Sequence, residues 1–429
     1  MSSPLVSAKR TKNERVGVHA WHPYYAGYAE SFVESSINYL NLKKNDVVLD
    51  PWNGSGTTAL VANRKFINTL GFDVNPVMNI FSNAKTGVIL EHETKIKKAV
   101  KHLIHRLKLQ ELESIDAKDP LLDFMSESLC SITRTIFSLI DNTNIESNLC
   151  SDSIKSKMKD KIFINPFSDF LKACLFISSR SAAGYSGGSN PTWVKTLEKK
   201  PEVSIDQFAL IFSELAKAMI KDLKDSAISP NKNTLHIAAD GDSRSLNVKT
   251  SSIDAIITSP PYLTRIDYAI STGPELLILS DRKFLRKTRE LTMGAPVIVD
   301  KNIPVIDQWG EQCKKLLNDV AEHPSKAAKS YYLPNMLQYF KDAWFSLKEI
   351  KRVLKKGRKA LIVVQTSYFK EHEIPLGEIY LEMASSLNMK GKIVYRDIVR
   401  GHMAHVNTKS NQYKKDKVYY EDVVELTKG

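Results

Sequence analysis

The nine residues Asp50–Thr58, DPWNGSGTT, constrain this chain more than any other stretch, because of what stands on either side of their two glycines. Asp46–Leu49 (DVVL) is apolar and β-branched, as a buried strand of a parallel sheet should be. Gly54 and Gly56 then permit a positive φ and leave bare backbone for a ligand to lie against. Thr57 and Thr58 open a helix whose first N–H groups point back at the turn and favour an anionic guest. Thr69–Phe72 reads as a second strand ending in Asp73. A carboxylate some 20 residues past a Gly-rich turn, at the tip of the adjacent strand, is placed to accept hydrogen bonds from a ribose. Strand, turn, helix and acid in this order predict a nucleoside-cofactor site built from Asp50, Trp52, Asn53, Gly54, Gly56, Thr57, Thr58 and Asp73.

A second stretch, Thr258–Tyr262 (TSPPY), ends the most apolar strand of the later half, Ser252–Thr258. Its two prolines fix the backbone and remove two N–H donors, which leaves carbonyl oxygens to accept hydrogen bonds. A turn of that kind suits a target that donates, such as an exocyclic amine. Ser259 Oγ and the Pro260 carbonyl would each take one amine hydrogen, Pro261 would keep the corner rigid, and Tyr262 would stack on the ring. In a doubly wound sheet both turns end strands at the same edge, near the switch in strand order, so the two pockets are expected to meet.

Between the two turns the style of the chain changes. Residues 91–229 carry helix-period apolar positions, as in Lys95–Leu109, and Ser204–Gln207 has the form of a capping box. These residues are read as a largely helical insertion in a catalytic domain formed by residues 1–90 and 230–429. Within it, Ser178–Trp193 is expected to be an exposed loop, either a linker or a carrier of Arg180, Tyr185, Asn190 and Trp193 to phosphates and an unstacked base. Further strands are expected at Leu235–Ala238, Ala360–Gln365, Lys392–Tyr395 and Asp422–Leu426, with a long amphipathic helix at Asn335–Leu354. At the first of these strands, Asp242 is preferred to Asp240 as the acid facing an adenine amino group.

Upstream, residues 1–20 hold Lys9, Arg10, Lys12 and Arg15 and are expected to be a mobile basic arm. The aromatic stretch His22–Tyr28 leads into a helix on which Phe32 either stacks over the cofactor's far end or packs in the core. The net charge of +13 suits a polyanionic partner. With 42% hydrophobic and 25% charged residues the chain is globular, and no apolar run reaches the length of a membrane span, so a cytoplasmic location is expected. Cys130, Cys150, Cys174 and Cys313 lack C-x-x-C spacing, and His402 and His405 lack acidic or thiol neighbours, so no metal is expected.

DPWNGSGTT and TSPPY together resemble the donor-binding and catalytic motifs of amino-group DNA methyltransferases, the class that makes N4-methylcytosine or N6-methyladenine. HPYYAGYAESF resembles the segment preceding that donor motif. The resemblance spans roughly residues 20–90 and 235–429. It implies a Rossmann-like α/β methyltransferase sheet with helices on both faces and S-adenosylmethionine as donor, with Phe32, Asp242 and Thr258 among the donor-site residues. It further implies double-stranded DNA as substrate, contacted also by Arg265 and Tyr268, a base rotated out of the stack, and a restriction endonuclease as partner. A Ser-led SPPY is seen more with cytosine, although the commonest Ser-led members carry the two motifs in the reverse order. An N6-adenine enzyme, an RNA guanine-N2 methyltransferase and a catalytically silent nucleic-acid-binding protein are the alternatives.

Overall fold

A computed structural model describes residues 4–22, 27–142, 154, 156–162, 164–185, 194–227, 236–263, 267–399 and 417–429. Its centre is a seven-stranded sheet in the order β3-β2-β1-β4-β5-β9-β8. The strands are β1 Val47–Asp50, β2 Asn68–Asp73, β3 His236–Asp240, β4 Ile253–Thr258, β5 Leu354–Gln365, β8 Met389–Ile398 and β9 Tyr420–Lys428, while β6 Ser367–Phe369 and β7 His372–Ile374 form a separate hairpin. β1 to β5 are parallel, and β9 inserts antiparallel between β5 and β8. This is a Rossmann-like α/β sheet.

Alternation along the strands sorts the residues to two faces. Val47, Leu49, Ile256, Ile362, Val364 and Val424 enter one core with the helix Leu333–Val353, which includes the fully enclosed Phe340 and Leu347. Val48, Ala255, Ile257, Leu361, Val363 and Val423 face the other way, onto Phe32, Val33 and Ile37 of the helix Glu30–Tyr39 and Val61 and Ala62 of the helix Thr57–Arg64. Both layers are thus fixed by period-two burial in short runs that read as apolar throughout.

Register sets the position of the site. Asp50 lies opposite Gly71, Asp73 opposite Asp240, and Thr258 opposite Ile362. The carboxyl ends of β1, β2, β3 and β4 therefore reach one edge together. From β1 the order runs outward to β2 and β3 on one side and to β4 and β5 on the other, so the crevice between β1 and β4 is the switch point where ligands bind in open α/β sheets.

All seven strands expected from the sequence are present, three of them extended by four residues or more. β5 starts at Leu354 rather than Ala360 and β8 spans Met389–Ile398, because their added residues are charged and partly exposed and give no apolar signal. The described residues of the insertion form helices and turns, and the capping box is formed: Ser204 Oγ accepts from Gln207 N–H, and Gln207 Oε1 accepts from Ser204 N–H. The insertion helices share a core with the rest of the chain, since Phe81 of the helix Pro76–Ala84 packs against Phe176 of the helix Pro166–Ala183.

Residues 4–20 are not the mobile arm that their composition suggests. Leu5, Ala8 and Arg10 are buried, Ala8 accepts a hydrogen bond from Ala29 N–H, and Ser7 Oγ donates to Asp397 Oδ2 at 2.7 Å. The basic residues hide the two apolar positions that tie the segment down. Leu5→Ala is expected to cost about 2 kcal/mol of stability in denaturant unfolding, whereas a frayed terminus would give no measurable change.

Candidate active site

The Gly-rich turn is shaped by its surroundings as much as by its own residues. Gly54 and Gly56 adopt φ of 48° and 83°, and a Cβ on Gly56 would lie 2.1 Å from Ser82 Oγ. Asn53 Oδ1 would sit 2.3 Å from a Cβ on Gly71, so the neighbouring strand must also offer a glycine for the turn to fold down. Gly54 N–H donates to Asp73 Oδ2 at 2.9 Å, and Asn75 N–H donates to Asp73 Oδ1 at 2.9 Å. Two backbone donors thus orient the Asp73 carboxylate, while burial pushes its pKa up to about 6. Against the outside of the turn, Arg10 Nη2 donates to Thr57 Oγ1 at 2.7 Å and the buried Lys85 Nζ to the Ser55 carbonyl at 2.8 Å. Neither cation had a sequence signal tying it to this turn.

Asp50 lies beneath, enclosed. It accepts from Thr258 Oγ1 at 2.6 Å, Thr58 Oγ1 at 2.7 Å, Tyr28 OH at 2.8 Å and Trp52 N–H at 3.3 Å. Burial raises its pKa and these four donors oppose the shift. Asp50 therefore ties the first turn to the end of β4, and Thr58 and Thr258 serve that carboxylate rather than a ligand.

The second turn follows directly. Ser259 Oγ donates to the Val363 carbonyl at 3.2 Å, which commits its proton and leaves its lone pairs to accept. Tyr339 OH donates to the Pro261 carbonyl at 2.9 Å, so that oxygen is taken. No hydrogen bond among the described residues ends on the Pro260 carbonyl. Tyr262 OH donates to Glu421 Oε2 at 3.3 Å, a contact with an acid 159 positions away that nothing in the sequence announces.

One cleft joins the two turns. Trp52, Asp73 and Asp242 line it from one side, and Ser259, Pro260, Pro261, Tyr262 and Tyr268 from the other. Sequence reasoning missed Asn75, Arg244 and Met293 of the same lining. Arg244 clamps Asp242 and reaches Asp342 at 2.8 Å, an orienting role readable only once β3 and the helix Leu333–Val353 are adjacent.

Several expected site residues lie elsewhere. Phe32 is fully enclosed against Tyr28 in the core, with ring centroids 5.6 Å apart, and does not line the cleft. Asn53, Gly54, Gly56 and Thr57 shape the turn from behind it. Ser178–Ala183 is the end of a helix rather than a loop, and Arg180 is spent on a bidentate pair with the buried Glu275 at 2.5 and 2.9 Å. Tyr185 lies beneath that guanidinium, half-buried. A buried carboxylate required a cation, and that need overrode the reading of Arg180 as a phosphate contact. Asn190, Trp193, Arg265, His402 and His405 lie outside the described residues.

Residues 6–80 match the DNA methylase family. The chain is 23% identical over 431 residues to the Type II methyltransferase M.BsoBI of Geobacillus stearothermophilus, covering 91% of this chain and 82% of that protein. The chain is a methyltransferase. A second relative, the Type II methyltransferase M.MjaII of Methanocaldococcus jannaschii, is 22% identical over 333 residues, 62% of each chain. Residues 6–80 of the methyltransferase run through the buried N-terminal segment, the Asp50 turn and Asp73. Among its described residues no group of three or more His, Cys, Asp or Glu is placed to hold a metal ion, and no helix is long and apolar enough to cross a membrane.

Thr258→Val in this methyltransferase keeps the side-chain shape but removes a donor from Asp50. It is expected to cost about 1–3 kcal/mol in urea unfolding and to slow turnover by displacing Ser259. Stability and rate both equal to wild type would contradict the role given to Asp50.

Proposed function

We propose that this methyltransferase transfers a methyl group from S-adenosylmethionine to the exocyclic amine of a base in double-stranded DNA, with cytosine N4 as the acceptor. The observation that carries the reading is the single cleft lined by both Asp73 and Ser259–Tyr262. The residues present fit the donor. Asp73 keeps acceptor capacity beyond its two backbone N–H bonds and can take ribose hydroxyls. Trp52 offers an apolar wall, and Asp242, clamped by Arg244, retains lone pairs for an adenine amino group. When bound, the donor supplies an electrophilic methyl carbon.

The rest is the work of this chain's residues. Ser259 Oγ and the Pro260 carbonyl accept the two amine hydrogens, drawing the nitrogen toward tetrahedral geometry and exposing its lone pair. Tyr262 holds the ring by stacking. Catalysis then rests on positioning and preorganised acceptors, with no covalent enzyme intermediate. A base in a duplex must leave the stack to enter such a cleft. The helix Arg282–Leu291 runs directly into the cleft wall at Leu291 and Met293, and its exposed Arg282, Lys283, Arg286 and Lys287 fit contact with the DNA backbone. The preference for cytosine follows from the serine at the head of the catalytic turn, as in the Ser-led members of the class it resembles.

Mass spectrometry of DNA digested after incubation with protein and S-adenosylmethionine tests the reading. N4-methylcytosine is expected; N6-methyladenine alone would move the acceptor to adenine, and no methylated base would overturn the proposal. Tyr262→Ala should impair capture of the base with donor affinity nearly unchanged, and Asp73→Ala the reverse. Equal loss of both affinities in either variant would contradict two separate pockets.

The donor site should also depend on pH. Because burial raises Asp73 to about 6, the carboxylate that accepts the ribose hydroxyls is present above that pH and is lost below it. Calorimetric donor affinity is expected to be level above about pH 7 and to fall as pH drops through about 6. Asp73→Asn should bind weakly at every pH, and a flat wild-type profile would contradict the assignment.

A further inference from the structure

Methyl transfer to an amine leaves the nitrogen with one proton too many, and the roles given so far to Ser259, Pro260 and Tyr262 do not say where it goes. Glu421 stands at the end of a path from the amine. It lies at the start of β9, opposite Gln365 at the carboxyl end of β5 and Asp397 of β8, on the edge of the sheet that carries the cleft. Its Oε2 accepts from Tyr262 OH at 3.3 Å, and its Oε1 is buried with no hydrogen-bond partner among the described residues. A carboxylate oxygen without a donor in a desolvated setting is a better proton acceptor than one in water.

We infer that Glu421, acting through Tyr262 and Ser259, takes up the proton that the acceptor amine loses. The inference rests on the methyl-transfer reading above. Ser259 has one hydroxyl proton, held in this structure by the Val363 carbonyl, and the phenol of Tyr262 is its other oxygen neighbour. Rotation about its Cβ–Oγ bond moves the proton from the first to the second. The amine nitrogen then forms its bond to the methyl carbon as the carbon–sulfur bond breaks, and the electrons of one N–H bond stay on nitrogen. The released proton passes to Ser259 Oγ, the serine proton to the phenol oxygen, and the phenol proton to Glu421 Oε2. Serine and tyrosine end as they began, and Glu421 ends neutral.

The charges around Glu421 suit this task. Burial is the main influence and pushes its pKa up to about 7; the hydrogen bond from Tyr262 and the charge of Lys9 in the N-terminal segment oppose the rise, and Asp397 of β8 and Asp422 of β9 add to it. Tyr395 of β8 and Tyr262 are the other titratable groups facing it. A base near neutrality can both take a proton and return it to solvent between turnovers.

The test is single-turnover methylation of duplex DNA at saturating donor, which removes the contribution of Asp73. The wild-type rate should rise with pH through about 7 and then level. Glu421→Gln, which preserves shape and the oxygen facing Tyr262, should lower the rate by roughly 100-fold and abolish the inflection, with KM for DNA and donor affinity unchanged. Glu421→Asp should restore part of the rate and its pH dependence. Independently of turnover, carboxyl ¹³C NMR of the protein without donor should contain a glutamate titrating near 7 that is missing in Glu421→Gln. Overturning results are a Glu421→Gln rate within twofold of wild type with the inflection kept, or a loss confined to KM. Should the wild type methylate no base, the functional proposal fails by itself. The NMR titration then decides alone, and a midpoint below about 5 for Glu421 would overturn its role as a proton acceptor.

Discussion

The hydrogen bond from Thr258 to the Asp50 carboxylate is the interaction on which the site depends. It joins residues 208 positions apart at the ends of adjacent parallel strands. Asp50 is sealed beneath the first turn, and a carboxylate in such a place is tolerable only if donors surround it. Those donors come from Tyr28, the turn itself, the first residues of the following helix, and β4. Satisfying one buried charge thereby fixes the height of the Gly-rich turn, the entry of the helix and the start of the proline corner.

The same logic continues outward. Ser259 follows Thr258, and its proton is held by the carbonyl of Val363 on β5. Tyr339, from the helix under the sheet, occupies the Pro261 carbonyl. These two contacts divide the oxygens of the turn into those held by the protein and those left for a substrate, which are Ser259 Oγ and the Pro260 carbonyl. Tyr262 is held at its hydroxyl by Glu421, so in the proposed reaction it would offer a base its face rather than its polar tip. In the proposed reaction each of these groups would be oriented by a residue outside the substrate pocket, and such pre-arrangement is what would let positioning carry the chemistry.

Much of this was legible in the sequence, for a definite reason. Parallel strands buried on both faces leave short apolar runs, and β1, β2, β4 and the end of β5 appeared as such runs. The two turns were legible because glycine and proline act on the backbone locally. Positions that depend on distant partners were not. Arg180 looked like a loop cation until Glu275 appeared beside it, and Leu5 and Ala8 were masked by basic neighbours while packing over the helix Glu30–Tyr39. Asp50 was read as part of the cofactor site, and its carboxylate is occupied by four donors from the protein, three of them side chains that only the fold brings to it. Glu421 was silent, because nothing near β9 in the sequence indicates that its first turnward side chain meets Tyr262.

Proximity of donor and acceptor is the central claim, and a crystal structure with S-adenosylhomocysteine bound tests it most directly. The ribose hydroxyls should lie within hydrogen-bonding distance of Asp73, with the thioether sulfur turned toward the corner formed by Ser259 and Pro260. Density for the ligand outside this cleft, or with its sulfur turned away from that corner, would contradict the account.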